Sequence, residues 1–225
     1  MGIKSGAVIS ARLLGMTVIS IQPTGLRARK KLRTREALVE AAFDLFRRQG
    51  FEATTIDEIA EQVELSPRTF FRYFASKEDV VLTLMEQQFA AVYEAFAARP
   101  AHEPVLTALR HATVVMMRSC EGGAAGFDAD RFDCAQQLIS ENPSIQGRSL
   151  ELCATRVEEL ARHIADRMGV DPTIDPRPTL VAAVATTAVQ TAMVAWRELE
   201  PETPASVLAE RALALLEEGI NYPSA

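Results

Sequence analysis

Between Ser66 and Phe74 the sequence gathers side chains that can meet a polyanion. Arginine can bond guanine through two parallel hydrogen bonds, and an aromatic ring or a threonine methyl can touch the methyl of thymine. Hydroxyls suit phosphate oxygens, which position a protein without specifying sequence. Phe70 and Phe74 stand four residues apart, so on a helix they share one face and turn inward onto Ile59, Val63 and Leu38. That leaves Ser66, Arg68, Thr69, Arg72 and Tyr73 toward solvent, with Phe71 at the edge. The chemistry of this segment is recognition. There is no G-x-S-x-G, Walker loop, H-E-x-x-H or dinucleotide fingerprint in the chain, and Glu158-Glu159 reads as a solvated helix face. His102, His111 and His163 form no i,i+4 pair, and no cysteine stands at ligand spacing from them, so neither metal nor cofactor is expected.

The elements that must hold these residues can be read from periodicity and caps. Leu38, Ala42, Leu45 and Phe46 recur at three- and four-residue steps, predicting a helix from about 29 to 49. Gly50 is its expected left-handed stop, and Phe51 can fold back on its last turn. Thr55 stands three residues before Glu58, a capping box that opens a short helix to Val63. Only Glu64 and Leu65 follow before Ser66-Pro67, a serine cap with proline at the first helical position. The third helix is expected over 67–74. Ser76, three residues before Asp79, caps a fourth that continues to about Ala97. Two short helices joined by a tight turn, the second with a polar outer face, are what major-groove reading requires.

Beyond Pro100 the remainder reads as helical, with segments near 103–118, 129–141, 148–168, 177–198 and 204–219. Gly122-Gly123, Pro143, Gly169, Pro176 and Pro201 separate them. No strand alternation is sustained. The fold class is all-α with about nine helices, a three-helix head preceding a larger helical part.

The pattern Phe43-x-x-Phe46…Gly50-Phe51…Thr54-Thr55-Ile56-x-x-Ile59-Ala60…Val63…Leu65-Ser66…Thr69-Phe70-Phe71-x-Tyr73-Phe74-x-Ser76-Lys77-Glu78 resembles the N-terminal domain of the TetR family across residues 31–80. One departure is Glu64, where that family usually has glycine. The resemblance implies phosphate contacts from Thr55, Ser66 and Thr69, with Tyr73 and Lys77 clamping the backbone. It implies base-edge contacts from Arg68, Phe71 and Arg72. The basic run Arg27, Arg29, Lys30, Lys31, Arg33 and Arg35 would reach a flanking groove, or be a solvated face. It further implies a DNA-binding domain over 27–80, with the helix-turn-helix at 54–73, and a ligand-binding and dimerising domain over 81–225. The function implied is a cytoplasmic repressor that binds a palindromic operator as a homodimer and is released by a small hydrophobic ligand. The same head can also recruit, so activation stays open. Residues 131–148 resemble actinobacterial regulators that sense acyl-CoA-like or other hydrophobic ligands.

Composition agrees with that division. The chain carries a net charge of −6, yet eleven basic face eight acidic residues between Leu26 and Lys77, and eleven face twenty-two beyond it. A basic front on an acidic rear suits a polyanion met by the front alone. Cys120, Cys134 and Cys153, odd in number and widely spaced, read as reduced thiols. The apolar stretch Ala7–Ile21 is split by Arg12 and too short to span a bilayer, so no membrane association is expected. Residues 1–26 read as a flexible leader, or as an over-extended start with Met16 as initiator. Met85, Phe89, Phe96, Met116, Met117, Phe127, Phe132 and Trp196 either line an apolar ligand cavity or are ordinary core. Leu180, Val184, Thr187 and Thr191, paired with Val207, Leu208 and Leu215, could build a bundle between two subunits. The alternative is that helix 177–198 is the central helix of a monomer.

Overall fold

A computed structural model describes residues 25–220, and within them the chain forms nine α-helices and no strand. The leader expected over 1–26, and the choice of Met16 as start, fall outside the described residues except for Gly25 and Leu26. Leu26 is already helical.

Helix α1 (Leu26–Gln49) buries Leu38, Val39, Ala41, Ala42, Phe43, Leu45 and Phe46 along one stripe. Gly50 ends it with φ 85° and ψ 160°, a region open to glycine but not the helical left-handed conformation expected. Phe51 does fold back, its ring 5.0 Å from that of Phe46. Helices α2 (Ile56–Gln62) and α3 (Pro67–Phe70) pack on each other, and α2 packs on α1. Helix α4 (Lys77–Ala97) contacts α1 at one end and runs on into the larger half.

There α4 meets α5 (Val105–Glu121) and α7 (Pro143–Met168), with α6 (Ala129–Glu141) against α7. Helix α8 (Arg177–Glu198) packs on α7 and α9 (Ala205–Glu218), and α9 packs on α5. The core is continuous from Leu38 and Phe70 in the head to Ile164 and Leu213 in the rear.

In the larger half, α5 and α7 are bounded differently from the sequence reading, each for a local reason. Helix α7 starts at Pro143, not near 148. Proline is compatible with the first helical position because its missing N–H has no partner there anyway. Asn142 meanwhile closes α6, its side-chain amide donating to the Leu138 carbonyl at 2.8 Å. Helix α5 runs on to Glu121, whose carboxylate reaches across the bundle. It accepts from the Ser206 N–H and hydroxyl, each at 2.7 Å, and so caps α9, whose own N-cap is a proline.

Candidate nucleic-acid interface

The head is built from three caps and one buried aromatic pair. Thr55 and Glu58 make the full box: Thr55 Oγ1 accepts from the Glu58 N–H at 3.2 Å, and Glu58 Oε2 accepts from the Thr55 N–H at 2.8 Å. The backbone N–H of Thr55, then its hydroxyl, then the Gln49 amide hold the Glu58 carboxyl below its ordinary range. Thr55 is exposed, but its hydroxyl is occupied by Glu58 at 2.9 Å.

The turn after α2 is a Schellman motif. Leu65 N–H bonds the Ala60 carbonyl at 2.9 Å and Glu64 N–H bonds that of Glu61 at 3.0 Å. Glu64 sits at its left-handed position with φ 55°, which favours glycine. The glutamate is therefore accommodated at a cost in backbone strain.

Ser66 caps α3, its hydroxyl accepting from the Thr69 N–H at 3.3 Å and lying 3.0 Å from the Thr69 hydroxyl. The regular helix ends at Phe70, four residues earlier than the sequence reading placed it. The chain continues to Phe74 as a tightened turn: Arg72 N–H reaches Thr69 and Tyr73 N–H reaches Phe70 at 2.8 Å, three-residue steps in place of four. Phe70 is fully buried and Phe74 nearly so, their ring centroids 5.5 Å apart. Arg35 of α1 lies over the Phe74 ring at 5.2 Å.

The opposite face stands in solvent. Ser66, Arg68 and Arg72 are exposed, Thr69 and Tyr73 are half-buried, and Phe71 is 56% exposed. Arg72 lies over the Tyr73 ring at 5.2 Å. Burial pushes the Tyr73 phenol up, but the Arg72 and Thr34 side chains and the charges of Arg72 and Lys31 outweigh it and lower its pKa. The phenol thus sits in a locally positive field. Arg27, Arg29, Lys30, Lys31 and Arg33 are exposed along the start of α1, and none makes an ion pair among the described residues. Arg35 is tied to Glu86 of α4 at 3.2 Å.

Lys77 is used differently from the phosphate clamp the sequence suggested. Its ammonium donates to the carbonyls of Phe51 at 2.7 Å and Thr54 at 3.1 Å, and lies 4.3 Å from the centre of the Phe51 ring. It ties the start of α4 to the loop between α1 and α2.

Behind the head lies a cavity of about 200 Å³ walled by α4, α5, α6, α7 and α8, with Leu213 of α9. Met85, Phe89, Met116, Met117 and Phe132 line it as the sequence suggested. Phe96, Phe127 and Trp196 do not. Phe96 is core beneath the Arg167 guanidinium, Phe127 packs against the core from the α5–α6 loop, and Trp196 stacks behind Phe132 at 5.8 Å. The polar part of the wall, Gln88, Gln136, Gln190 and Arg197 among others, was missed from sequence. Gln136 recurs one turn after Phe132 on the buried face of α6, which was its one available signal.

Known proteins decide the family. The family described as "Bacterial regulatory proteins, tetR family" matches residues 38–84, and "MftR C-terminal domain" matches 103–221. The HTH-type transcriptional regulator TcmR of Streptomyces glaucescens is 42% identical over 161 residues, 71% of each chain. This chain belongs to the TetR family. It is a TetR-type transcriptional regulator, and not an enzyme. The TetR fold is also that of Thermus thermophilus FadR, solved with lauroyl-CoA (TM-score 0.51, 24% identical, covering 85% of this chain and 97% of that one). A regulator from Syntrophomonas wolfei matches with TM-score 0.59 at 18% identity, covering 85% and 98%.

Two substitutions test this local account. Glu64→Gly should raise the unfolding free energy by about 1 kcal/mol, read from urea denaturation, because glycine carries no penalty at positive φ. An unchanged or lower midpoint would mean the turn is not strained. Lys77→Met should lower it by about 2 kcal/mol through the two orphaned carbonyls. A Lys77→Met protein of normal stability, with the salt dependence of its DNA binding reduced by about one unit, would return Lys77 to a phosphate.

Proposed function

We propose that this TetR regulator is a repressor that binds a palindromic operator as a homodimer and is released by a small hydrophobic ligand. Residues 27–80 read DNA and 81–225 dimerise and receive the ligand. The boundary falls inside α4, which serves both. A role on DNA supports a cytoplasmic location.

One observation carries the reading: Arg68, Phe71 and Arg72 are exposed on a segment whose other face, Phe70 and Phe74, is locked into the core. Rigid seating lets two guanidiniums meet base edges in the major groove with little further ordering. Ser66 and Thr69 at the start of α3 then lie toward phosphate, and the free cations of α1 toward the flanking groove. Tyr73, in its positive surroundings, can donate its hydroxyl to the backbone. Thr55 joins them by exchanging its Glu58 partner for a phosphate oxygen.

Dimerisation is supported by the outer face of α8. An 18-residue window of this helix has mean hydropathy 1.5, apolar and long enough to cross a membrane by length and composition, yet only Pro178, Ala182, Ala185 and Ala192 are buried within the subunit. Leu180, Thr187, Thr191 and Val194 are exposed at steps of seven, four and three residues, beside half-buried Val184. The Thr187 and Thr191 hydroxyls each donate to the carbonyl four residues back at 2.9 Å, so the face can be covered without stranding a donor. Leu215, 45% exposed, and half-buried Val207 extend it from α9. Leu208 does not: it is 6% exposed and packs in the subunit's own core, because α9 is apolar on more than one side. Two such faces make an isologous four-helix contact that sets the spacing of two heads.

Release follows from the position of α4. Its first turns, with Val80 and Val81 fully buried, hold the head, while Met85, Gln88, Phe89, Val92 and Tyr93 further along line the cavity. Arg148 of α7 pairs with Asp79, and Glu86 takes Arg35 from α1 and Arg156 from α7, the latter at 3.9 Å. A ligand that parts α4 from α7 acts on both heads and favours a spacing the operator does not fit. FadR of Thermus thermophilus, solved with lauroyl-CoA, supports a hydrophobic occupant.

Fluorescence anisotropy with duplex DNA from upstream of the chain's own gene tests the proposal. Affinity should fall steeply with salt. Thr187→Glu should convert the dimer to monomer by light scattering and weaken DNA binding by at least about tenfold. A monomeric Thr187→Glu chain that binds as tightly as the unmodified one would remove the dimer from the mechanism.

A further inference from the structure

The cavity wall holds one ionic side chain, Arg197, near the C-terminal end of α8. Its Nη1 donates to Gln136 Oε1 of α6 at 3.0 Å, and Gln136 is itself 7% exposed. Its Nε is buried with no hydrogen-bond partner. No Asp or Glu lines the cavity, and Arg197 makes no ion pair among the described residues. Adjacent Glu198 is exposed. Burial draws the guanidinium below its ordinary pKa, with Glu198 offsetting part of that effect. An arginine nonetheless keeps its proton, so the charge stays in the wall.

Even a half-buried cation without a counter-ion carries a desolvation cost, and removing either partner of a buried pair normally destabilises a fold for that reason. Here the guanidinium belongs to the wall of a largely apolar chamber. The remaining walls suit a hydrocarbon or aromatic body: Met85, Phe89, Met116 and Phe132 supply soft and flat surfaces. The amides of Gln88 and Gln190 can orient an oxygen but carry no charge.

We propose that the effector is an amphipathic anion, an apolar body whose acidic oxygens pair with the Arg197 guanidinium, with Gln136 as the fixed second partner. The proposal deepens the reading of this cavity as the effector site and rests on it. An anion supplies the counter-ion that the guanidinium lacks, whereas a neutral molecule of the same shape would leave that charge unpaired. Arg197 therefore selects ligands by charge as well as shape.

Two fluorescent probes separate these cases. 8-Anilinonaphthalene-1-sulfonate and uncharged N-phenyl-1-naphthylamine share an aromatic body and differ in the sulfonate. Titrated against the full chain, the sulfonate should bind at least about tenfold tighter, with one molecule per subunit. Arg197→Met and Gln136→Glu should each erase that preference, the first by removing the charge and the second by giving it an internal carboxylate. Helicity by circular dichroism should hold in Gln136→Glu, which is close in shape to the unmodified chain. Equal affinities in the unmodified chain, or a preference that survives Gln136→Glu, would overturn the proposal. If neither probe binds, the cavity is no effector site and the proposal falls with it, while the head's DNA binding is judged separately by the anisotropy assay.

Discussion

Burial of Phe70 and Phe74 holds the reading segment in place, and the functional account depends on it. A helix of four residues cannot persist by itself, since nucleation is costlier than so few bonds can repay. Its shape comes from outside: Ser66 caps it, Pro67 presets its first turn, and the two aromatic rings fasten it to Ile59 and Leu38 in one core. Because Phe70 and Phe74 take the inward positions, Arg68, Phe71 and Arg72 are obliged to face out. The Phe74 ring also supplies the surface on which Arg35 lies, linking the seat of α3 to the first helix.

The second dependency is α4. A bundle with separate elements for head and cavity would have to couple them through a loop, whereas here one 21-residue helix is shared. Its first residues are fixed from several directions: Ser76 caps it, Lys77 anchors it to two loop carbonyls, and Asp79 meets Arg148. Four residues beyond Val81 it is already cavity wall. Packed interfaces shift between discrete arrangements more readily than they deform, so occupancy at Met85 and Phe89 can be felt at Phe74 without a long relay.

Features that depend on near neighbours were legible in the sequence. The Thr55–Glu58 box, the Ser66 and Ser76 caps, the bounds of α6 and α8 and the inward faces of α1 and α2 all follow from residues within a turn of one another. Glu64 was legible as a glycine substitute, and its φ of 55° is the physical form of that departure. What escaped was settled by tertiary contact. Lys77 finds its partners 26 and 23 residues back along the chain. Leu208 looked like surface because α9 is apolar on several sides, and only packing on α5 and α8 decides which side is inside. Arg197 went unremarked in the sequence, because its place in the cavity wall depends on Gln136 of α6, 61 residues earlier. Pro143 was read as a break when its ring suits a beginning.

The most direct measurement of the central claim is selection of bound duplexes from a random-sequence pool, with the unmodified chain and with Arg72→Ala. The account predicts an inverted repeat whose two halves each lose preference at the same base pair when Arg72 is removed. An asymmetric consensus, or one that Arg72→Ala leaves unchanged, would contradict it.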